Sequence, residues 1–353
     1  MDLPRVTVFG AYGHTGRFVV SELLERGLTP ILSGRNPEKL KAFEASHGEL
    51  DLRPASVDDP SSLDAALKGA AAVINCAGPF ATTSAPVIEA ALRARIPYLD
   101  IAAEIEANLD TFELFADRAH QAGVLIVPAM AFYGGLGDLL ATAAMGDWVA
   151  ADEISIAYGL SNWKPTLGTR EAGEVSRRRR DGKRVVFSQG RLELRADKAP
   201  TQDWTFPAPL GKQAVVGDFT MADTVTMSRH LRTPQIRSYM TSAAVRDLSD
   251  PDALPPVAVD GSGRSSQVFL VEVVARSGSE ERRAVARGQD IYAITAPIVA
   301  EATQRVVHRQ IDRVGVLTAG EAFDACDFLA ALCPAHLSVE IQGSPLSEPL
   351  QRK

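Results

Sequence analysis

Cysteine is scarce in this 353-residue chain: Cys76, Cys326 and Cys333 are all there are, and no two are spaced as CxxC. The six histidines do not gather at metal-ligand spacing either, so no metal centre is expected. A sparse, odd set of thiols speaks against a disulfide framework and suits a reducing cytosol. An excess of positive charge is also missing. The 37 Lys and Arg stand against 44 Asp and Glu, a net charge of −7, which argues against a general nucleic-acid binder. A small anionic ligand remains open, because a pocket can be basic inside an acidic protein. No unbroken apolar run has membrane-spanning length. Val124 to Met145 comes nearest, but Pro128, Gly134, Gly135, Gly137 and Asp138 interrupt it, so a buried strand, loop and helix are expected instead of a stable membrane span. The amino terminus runs from Met1 through Arg5 straight into a strand pattern with no signal-peptide character, and a cytoplasmic protein is expected.

What is present is an ordinary globular mixture, 46% apolar and 23% charged, long enough for two domains. From residue 5 to about 130 short β-rich runs alternate with helical stretches: Val6–Phe9, Thr29–Ser33, Leu50–Arg53, Ala71–Asn75, Tyr98–Ile101 and Val124–Val127 read as strands. The helices between them include Thr15–Arg26, Pro37–Ser46 behind an Asn36 cap, Ser61–Lys68, Ala85–Ala94 and Leu109–Gln121. This grammar predicts right-handed crossovers and a Rossmann-type, doubly wound parallel sheet. Beyond residue 150 the pattern changes. Glu153–Leu160, Arg184–Phe187, Gly190–Arg195 and a hairpin of Gln267–Ser277 with Glu281–Gly288 predict a second α+β domain on a mostly antiparallel sheet. Asp290–Arg313 reads as a long helix, broken or started near Pro297. The expected division is a dinucleotide-binding domain over 1–130, a substrate and dimerisation domain over 131–342, and a frayed tail over 343–353. Return of carboxy-terminal helices to the first domain is left open.

The first strand ends in Gly10-Ala11-Tyr12-Gly13-His14-Thr15-Gly16-Arg17. A first glycine permits the tight turn, a middle one lets backbone N–H groups approach a pyrophosphate, and a last one lets the helix pack close. The spacing is GxxGxxG where GxGxxG is usual. Its position between a strand and a helix is what separates it from a bare glycine-rich turn. Enzymes that use NAD usually carry Asp or Glu about 20 residues further on to hold the ribose hydroxyls. Here that place reads Ser33-Gly34-Arg35-Asn36, with Lys39 one turn on and no acid. A guanidinium grips a 2′-phosphate in bidentate fashion and a serine can donate to it, so NADP(H) is the expected cofactor. The fourth strand ends in Asn75-Cys76-Ala77-Gly78-Pro79, where small residues beside the crevice admit a ribose. Cofactor contacts are thus expected from Gly10, Tyr12, Gly13, His14, Thr15 and Gly16, from Ser33, Arg35 and Asn36, and from Asn75, Cys76, Ala77, Gly78 and Pro79. Cys76 itself reads as a buried thiol and not a nucleophile, since no histidine is marked as its partner.

GAYGHTGR, LLERG, SGRNPEKL, NCAGPF and PYLDIAAE together resemble the saccharopine dehydrogenase-like NADP-binding family, which includes saccharopine reductases and the trans-acting enoyl reductases of lipid biosynthesis. The resemblance covers residues 5–130 and is fainter at Gly315-Val316-Leu317-Thr318-Ala319 and at Gly168-Thr169. Two departures from the family pattern, Ala103 before Glu104 and Leu136-Gly137-Asp138 in place of a Pro-Ser-Asp run, fall where substrate is expected to meet the nicotinamide. The resemblance therefore implies an NADPH-dependent oxidoreductase without fixing its substrate.

Hydride transfer belongs to the cofactor, and the protein orients the substrate and moves a proton. Candidates follow the later strands of the sheet. Tyr133 could donate to a developing enolate or amine, or could simply pack beside Phe132. Asp138 could be an acid of the site or a first-turn acid of the helix it opens. Asp100 and Glu104 are further carboxylates in the same region. The basic run Arg177–Arg184 reads as a solvated hairpin tip around Asp181-Gly182, or else as a docking patch for a phosphorylated or carrier-bound substrate. The expected function is reduction of a C=C or C=N bond in a small-molecule or acyl substrate by a homodimer joined through its second domain. The competing class is a non-catalytic NADP(H)-binding redox sensor, which would bind NADPH and never oxidise it across a panel of enones, imines and ketones.

Overall fold

Val6, Val8, Ile31, Leu32, Val73 and Ile74 are all wholly buried, so the strands carrying them must be covered on both faces. The computed structural model describes residues 3–45 and 48–346, and its chain divides into two units. One is Met1–Ala131 with Thr295–Thr318, and the other is Phe132–Ile294 with Ala319–Lys353.

The first unit runs β1 (Arg5–Phe9), α1 (His14–Glu25), β2 (Thr29–Gly34), α2 (Pro37–Glu44), β3 (Asp51–Pro54) and α3 (Pro60–Leu67). It continues through β4 (Ala72–Asn75), α4 (Phe80–Ala94), β5 (Tyr98–Asp100), α5 (Ile105–Ala122) and β6 (Leu125–Val127). The second unit opens on a kinked turn, Phe132–Leu136, followed by α6 (Gly137–Met145), β7 (Glu153–Leu160), α7 (Leu167–Arg179), β8 (Arg184–Ser188), β9 (Arg191–Arg195) and β10 (Thr201–Thr205). Then come β11 (Lys212–Gly217), α8 (Ala222–His230), β12 (Gln235–Thr241), α9 (Ser242–Ser249), β13 (Val268–Ser277) and β14 (Glu280–Gln289). The chain returns to the first unit with α10 (Thr295–Val307) and β15 (Gly315–Val316). It finishes in the second with α11 (Ala319–Ala322), α12 (Ala325–Ala331), β16 (Ser338–Ile341) and β17 (Ser344–Pro345).

The first sheet has seven strands in the order β15-β6-β5-β4-β1-β2-β3, and every pairing is parallel. The order reverses between β1 and β4, so the loops after these two strands lie at the topological switch point where such sheets bind ligands. Local chemistry starts the helices. Asn36 Oδ1 accepts from Lys39 N at 2.9 Å behind Pro37, and Asp59 caps α3 through Ser61 N and Ser62 N behind Pro60. α4 begins at Phe80, earlier than the Ala85 start expected, because Glu104 reaches back across 24 residues to accept from Phe80 N and Ala81 N. A cap supplied from so far along the chain leaves no mark in the local sequence. The stretch expected as one helix over 290–313 is helical only over Thr295–Val307, and it joins the first unit through a buried polar knot. Arg26 binds Glu22 at 2.7 Å on its own helix, and on α10 it binds Glu301 at 2.5 Å and Gln304 at 2.9 Å.

The second sheet is mixed, running β10-β11-β12-β7-β13-β14-β16-β17, with β8 pairing β12 and β9. Among the described residues only β12 with β7 is parallel; β7–β13 and the long β13–β14 hairpin are antiparallel. Strand alternation gives the sheet two different faces. Ile156, Tyr158 and Val273 lie on the face toward α6, where a Cβ on Gly137 would strike Ile156. On the opposite face Ala157, Tyr239, Leu270 and Val285 pack with Phe206, Val215, Trp204 and Leu210. A ladder of ion pairs continues that face, with Glu153 between Arg237 and Arg276, and Arg283 between Glu272 and Glu281.

Three expectations change here. The segment Arg177–Arg184 is no hairpin tip: Arg177, Arg178 and Arg179 form the last turn of α7, where cations meet the negative end of the helix. Asp181 (φ 53°) and Gly182 (φ 71°) end that helix, with Gly182 N donating to Arg177 O at 2.8 Å. Among the described residues the second unit also holds six helices, α6–α9 with α11 and α12, more than the sequence showed. Of the expected tail, Ser344–Pro345 pairs with β16, while 347–353 lie outside the described residues.

A Cβ on Gly16 would fall onto the carbonyl oxygen of Gly10, a backbone atom that cannot swing aside. Overpacking a core usually costs about 1–3 kcal/mol, and Gly16→Ala is expected at or above the top of that range, read as a lowered urea midpoint with unchanged slope. A stability loss below about 0.5 kcal/mol would show that α1 can withdraw from the turn without cost.

Candidate functional site

Two groups of residues carry chemistry, one in each unit. In the first, β1 hands the chain to α1 through a turn zipped to β2: Gly10 N and Ala11 N both donate to Ser33 O, at 2.8 and 3.2 Å. Gly10 adopts φ 89°, and a Cβ there would lie 2.9 Å from Ala77 N, so this glycine is required by conformation and by the loop after β4 alike. Gly13 is the extended N-cap of α1 and supplies no side-chain cap, and a Cβ on it would sit 3.1 Å from Gly10 O. The positive end of α1 therefore meets the turn without an acidic or hydroxyl cap of its own, an arrangement suited to a phosphate. His14 packs edge-on against Phe18 within α1, and Thr15 and Gly16 follow it in the first turn.

At the end of β2 the Tyr12 ring lies over Gly34, where a Cβ would meet it at 2.8 Å, and the Lys39 ammonium stands 5.9 Å from the ring centre. Arg35 is exposed and forms no ion pair among the described residues. Ser33 is wholly buried, yet its hydroxyl has no hydrogen-bond partner among the described residues. A buried orphan hydroxyl beside an uncommitted guanidinium fits a ligand with phosphate or ribose oxygens. Asn36, by contrast, is committed to capping α2.

The loop after β4 is held from beneath. Asn75 Oδ1 accepts from Ala77 N at 3.0 Å, and its amide donates to Thr83 Oγ1 and to the Tyr98 hydroxyl, both at 3.2 Å. Tyr98 donates in turn to Asp100, which also accepts from Ala102 N and Ala129 N. Asp100 and Glu104 are thus fastened to backbone amides, and burial raises the carboxyl pKa of each. Burial, with the Asp100 charge nearby, also pushes the Cys76 thiol far up, so it is no thiolate. Gly78 and Pro79, joined by a cis peptide, lead into α4.

In the second unit the turn Phe132–Leu136 kinks at Tyr133 (φ −92°, ψ 125°) and Gly134 (φ 101°, ψ −79°). Tyr133 is half-buried, but its hydroxyl is sealed from solvent without a partner among the described residues. Its ring stacks on Trp163 at 5.3 Å between centres and lies 5.1 Å from Tyr158. The sequence gives no signal for what lies beneath. Asp223, second residue of α8, is wholly buried and accepts at one oxygen, Oδ1, from Tyr158 (2.8 Å) and from Gly134 N (3.1 Å). A Cβ on Gly137 would collide with that same oxygen. The other oxygen has no partner among the described residues, and burial lifts the carboxyl pKa to about 6. Asp138 is occupied at both oxygens, by His230 Nε2 and by Gly320 N, each at 2.7 Å. Despite its burial, His230 has a raised pKa because Asp138 favours its charged form. Trp163 to Thr169 is pinned from the β14 side: Tyr292 OH lies 3.0 Å from Thr169 Oγ1 and accepts from Thr166 N. Among the described residues no group of His, Cys, Asp and Glu could hold a metal ion. No helix among them is long and apolar enough to cross a membrane.

A parallel sheet with a glycine turn at its switch point defines the first unit as a Rossmann dinucleotide-binding unit, and residues 10–122 match the family model described as NAD(P)H-binding. Over 142 residues the chain is 33% identical to a probable mitochondrial saccharopine dehydrogenase-like oxidoreductase of Arabidopsis thaliana, covering 36% of this chain and 31% of that one. Over 133 residues it is 26% identical to a trans-acting enoyl reductase of Mycobacterium tuberculosis, covering 36% and 32%. The matched segment thus spans about a third of the length of these relatives. Saccharopine dehydrogenase (L-Glu forming) of Saccharomyces cerevisiae superposes over 96% of this chain and 99% of its own with a TM-score of 0.67 at 12% identity, a likeness of fold.

Asp223 and His230 titrate in different pH windows. Asp223 has a pKa near 6 when folded, against about 3.9 unfolded, so the folded state holds the extra proton and stability falls as pH rises from 4 to 6, by on the order of 2 kcal/mol. Asp223→Asn keeps the Oδ1 acceptor and is expected to remove that slope in chemical denaturation; an unchanged slope would place the titrating group elsewhere. His230, raised when folded, contributes fully below its unfolded pKa of about 6.5 and loses the contribution as pH rises through the folded value. His230→Gln is expected to flatten stability above pH 6.5 and leave the acid window as it was.

Proposed function

We propose that the protein is an NADPH-dependent oxidoreductase that reduces a C=C or C=N bond of a small or lipid-like substrate in the cytoplasm. The observation that carries the cofactor reading is Ser33, a buried hydroxyl without a partner, followed by Arg35 and by no acid. The turn from Gly10 to Gly16 would hold the pyrophosphate, with Ser33, Arg35 and Lys39 holding the 2′-phosphate and the Tyr12 ring beside them. When bound, NADPH supplies a hydride.

The chain's own task is then to hold the substrate and deliver a proton. Tyr133 is the proton donor in this reading. Burial and the nearby Tyr292 and Asp223 raise its pKa well above the usual value, so it keeps its proton until a strong base develops on the substrate. Asp138, bound at both oxygens, acts by position: it ties α6 to α8 and to Gly320, and so fixes the turn that carries Tyr133. Names borne by the relatives, enoyl reductase and saccharopine dehydrogenase-like oxidoreductase, support oxidation–reduction as the class, and the first supports reduction. Self-association through the second unit completes the reading, and a monomer by light scattering at micromolar concentration would remove it.

NADPH is expected to bind at least tenfold more tightly than NADH, about 1.4 kcal/mol, in calorimetric or fluorescence titration. Arg35→Ala should weaken NADPH and leave NADH nearly unchanged. Equal affinities in the parent protein would end the NADP assignment, and equal losses in the variant would indicate a fold defect. Gly13→Val should abolish dinucleotide binding while circular dichroism stays the same, because the branched side chain occupies the pyrophosphate's space. Once a substrate is found, Tyr133→Phe should slow turnover by roughly 100-fold.

A further inference from the structure

We propose that the second unit binds its ligand through a protonated nitrogen, an amine or iminium, placed between the free carboxylate oxygen of Asp223 and the hydroxyl and ring of Tyr133. Reduction is taken from the reading above; the ligand chemistry stands on the second unit alone.

Asp223 is the starting point. It is wholly buried, both of its donors converge on Oδ1, Oδ2 accepts nothing, and no cation pairs with it among the described residues. A buried carboxylate left without a counter-charge costs several kcal/mol, and burial, with the Asp138 charge nearby, already lifts its pKa. Tyr133 adds a second buried hydroxyl with no partner, on the residue next to the amide that Asp223 holds. Two orphaned polar groups at one place suit a polar ligand.

The surroundings narrow its chemistry. Tyr158 donates to the acid, Tyr133 packs on Tyr158 and Trp163, and Trp163 packs on Phe219, so an aromatic cluster adjoins the acid; Tyr133 and Phe219 are only half-buried, so the cluster reaches the surface. Aromatic faces beside a carboxylate attract a cation twice over, through the ring quadrupoles and through the charge. A ligand carboxylate or phosphate would meet the like charge of Asp223. A neutral acyl chain would leave Oδ2 and the Tyr133 hydroxyl unpaired, a loss that polar sites punish heavily. The backbone is shaped around the acid as well: Gly134 takes a left-handed conformation to aim its amide, and Gly137 leaves room for Oδ1 that any Cβ would fill. Within the proposed reaction this favours C=N over C=C.

Benzylamine and its neutral counterpart benzyl alcohol test the inference by calorimetry at pH 8, with tryptophan fluorescence as a second readout. The whole protein is expected to prefer benzylamine by at least tenfold. Asp223→Asn should erase that preference, and Tyr133→Phe should reduce it. Equal affinity for the two probes, no detectable benzylamine binding by the parent protein, or an undiminished preference in Asp223→Asn would overturn the proposal. The parent comparison needs no variant, so a variant that fails to fold leaves the test standing. NADPH titration of the same preparation reports on the cofactor reading separately, since neither probe resembles a dinucleotide.

Discussion

The close approach of α1 to the end of β1 governs the first unit. Where a Cβ on Gly16 would stand, the carbonyl oxygen of Gly10 already sits, and where a Cβ on Gly10 would stand, the backbone of Cys76 and Ala77 passes. Three strand ends and a helix start are drawn together by the absence of two side chains. The zipper from Gly10 and Ala11 to Ser33 and the position of the loop after β4 accompany that contact. Beneath it, Asn75, Tyr98 and Asp100 form a chain of buried hydrogen bonds that fixes the ends of β4, β5 and β6 relative to one another.

The second unit is organised around a helix held at both ends. α8 binds the segment 134–138 through Asp223 at its start and through His230 at its finish, the first to Gly134 N and the second to Asp138. Both attachments use ionisable side chains with little or no exposure, which is an expensive way to fasten a helix. The His230–Asp138 pair recovers its cost through a counter-charge and the Gly320 amide. Asp223 does not recover its own, and that difference separates a structural clamp from a site prepared for a ligand.

The parallel sheet was legible because buried strands and amphipathic helices alternate at fixed periods, and because Asn36-Pro37 and the glycine turn announce their elements locally. Tyr133 was legible as a polar ring at a strand's end. Asp138 was legible as a first-turn acid, but its two partners come from residues 230 and 320, far along the chain. Asp223 and Tyr158 were not legible at all: Met221-Ala222-Asp223-Thr224 has no motif, and Tyr158 looks like one more alternating strand residue. The start of α4 was misplaced for a similar reason, since its cap, Glu104, lies 24 residues away.

By itself, then, the sequence determined the features that rest on short-range sterics and periodicity: the Rossmann order of strands and helices, the glycine turn, and the lack of an acid after β2. Those are properties of neighbouring residues and need no tertiary partner. Folding in three dimensions decided which carboxylates are spent and which is left over. Asp100, Glu104 and Asp138 each find backbone amides or a histidine that only the packed chain supplies, while Asp223 is buried with one oxygen unused. A carboxylate's chemistry depends on its desolvation and its partners, and both are set by groups distant in sequence.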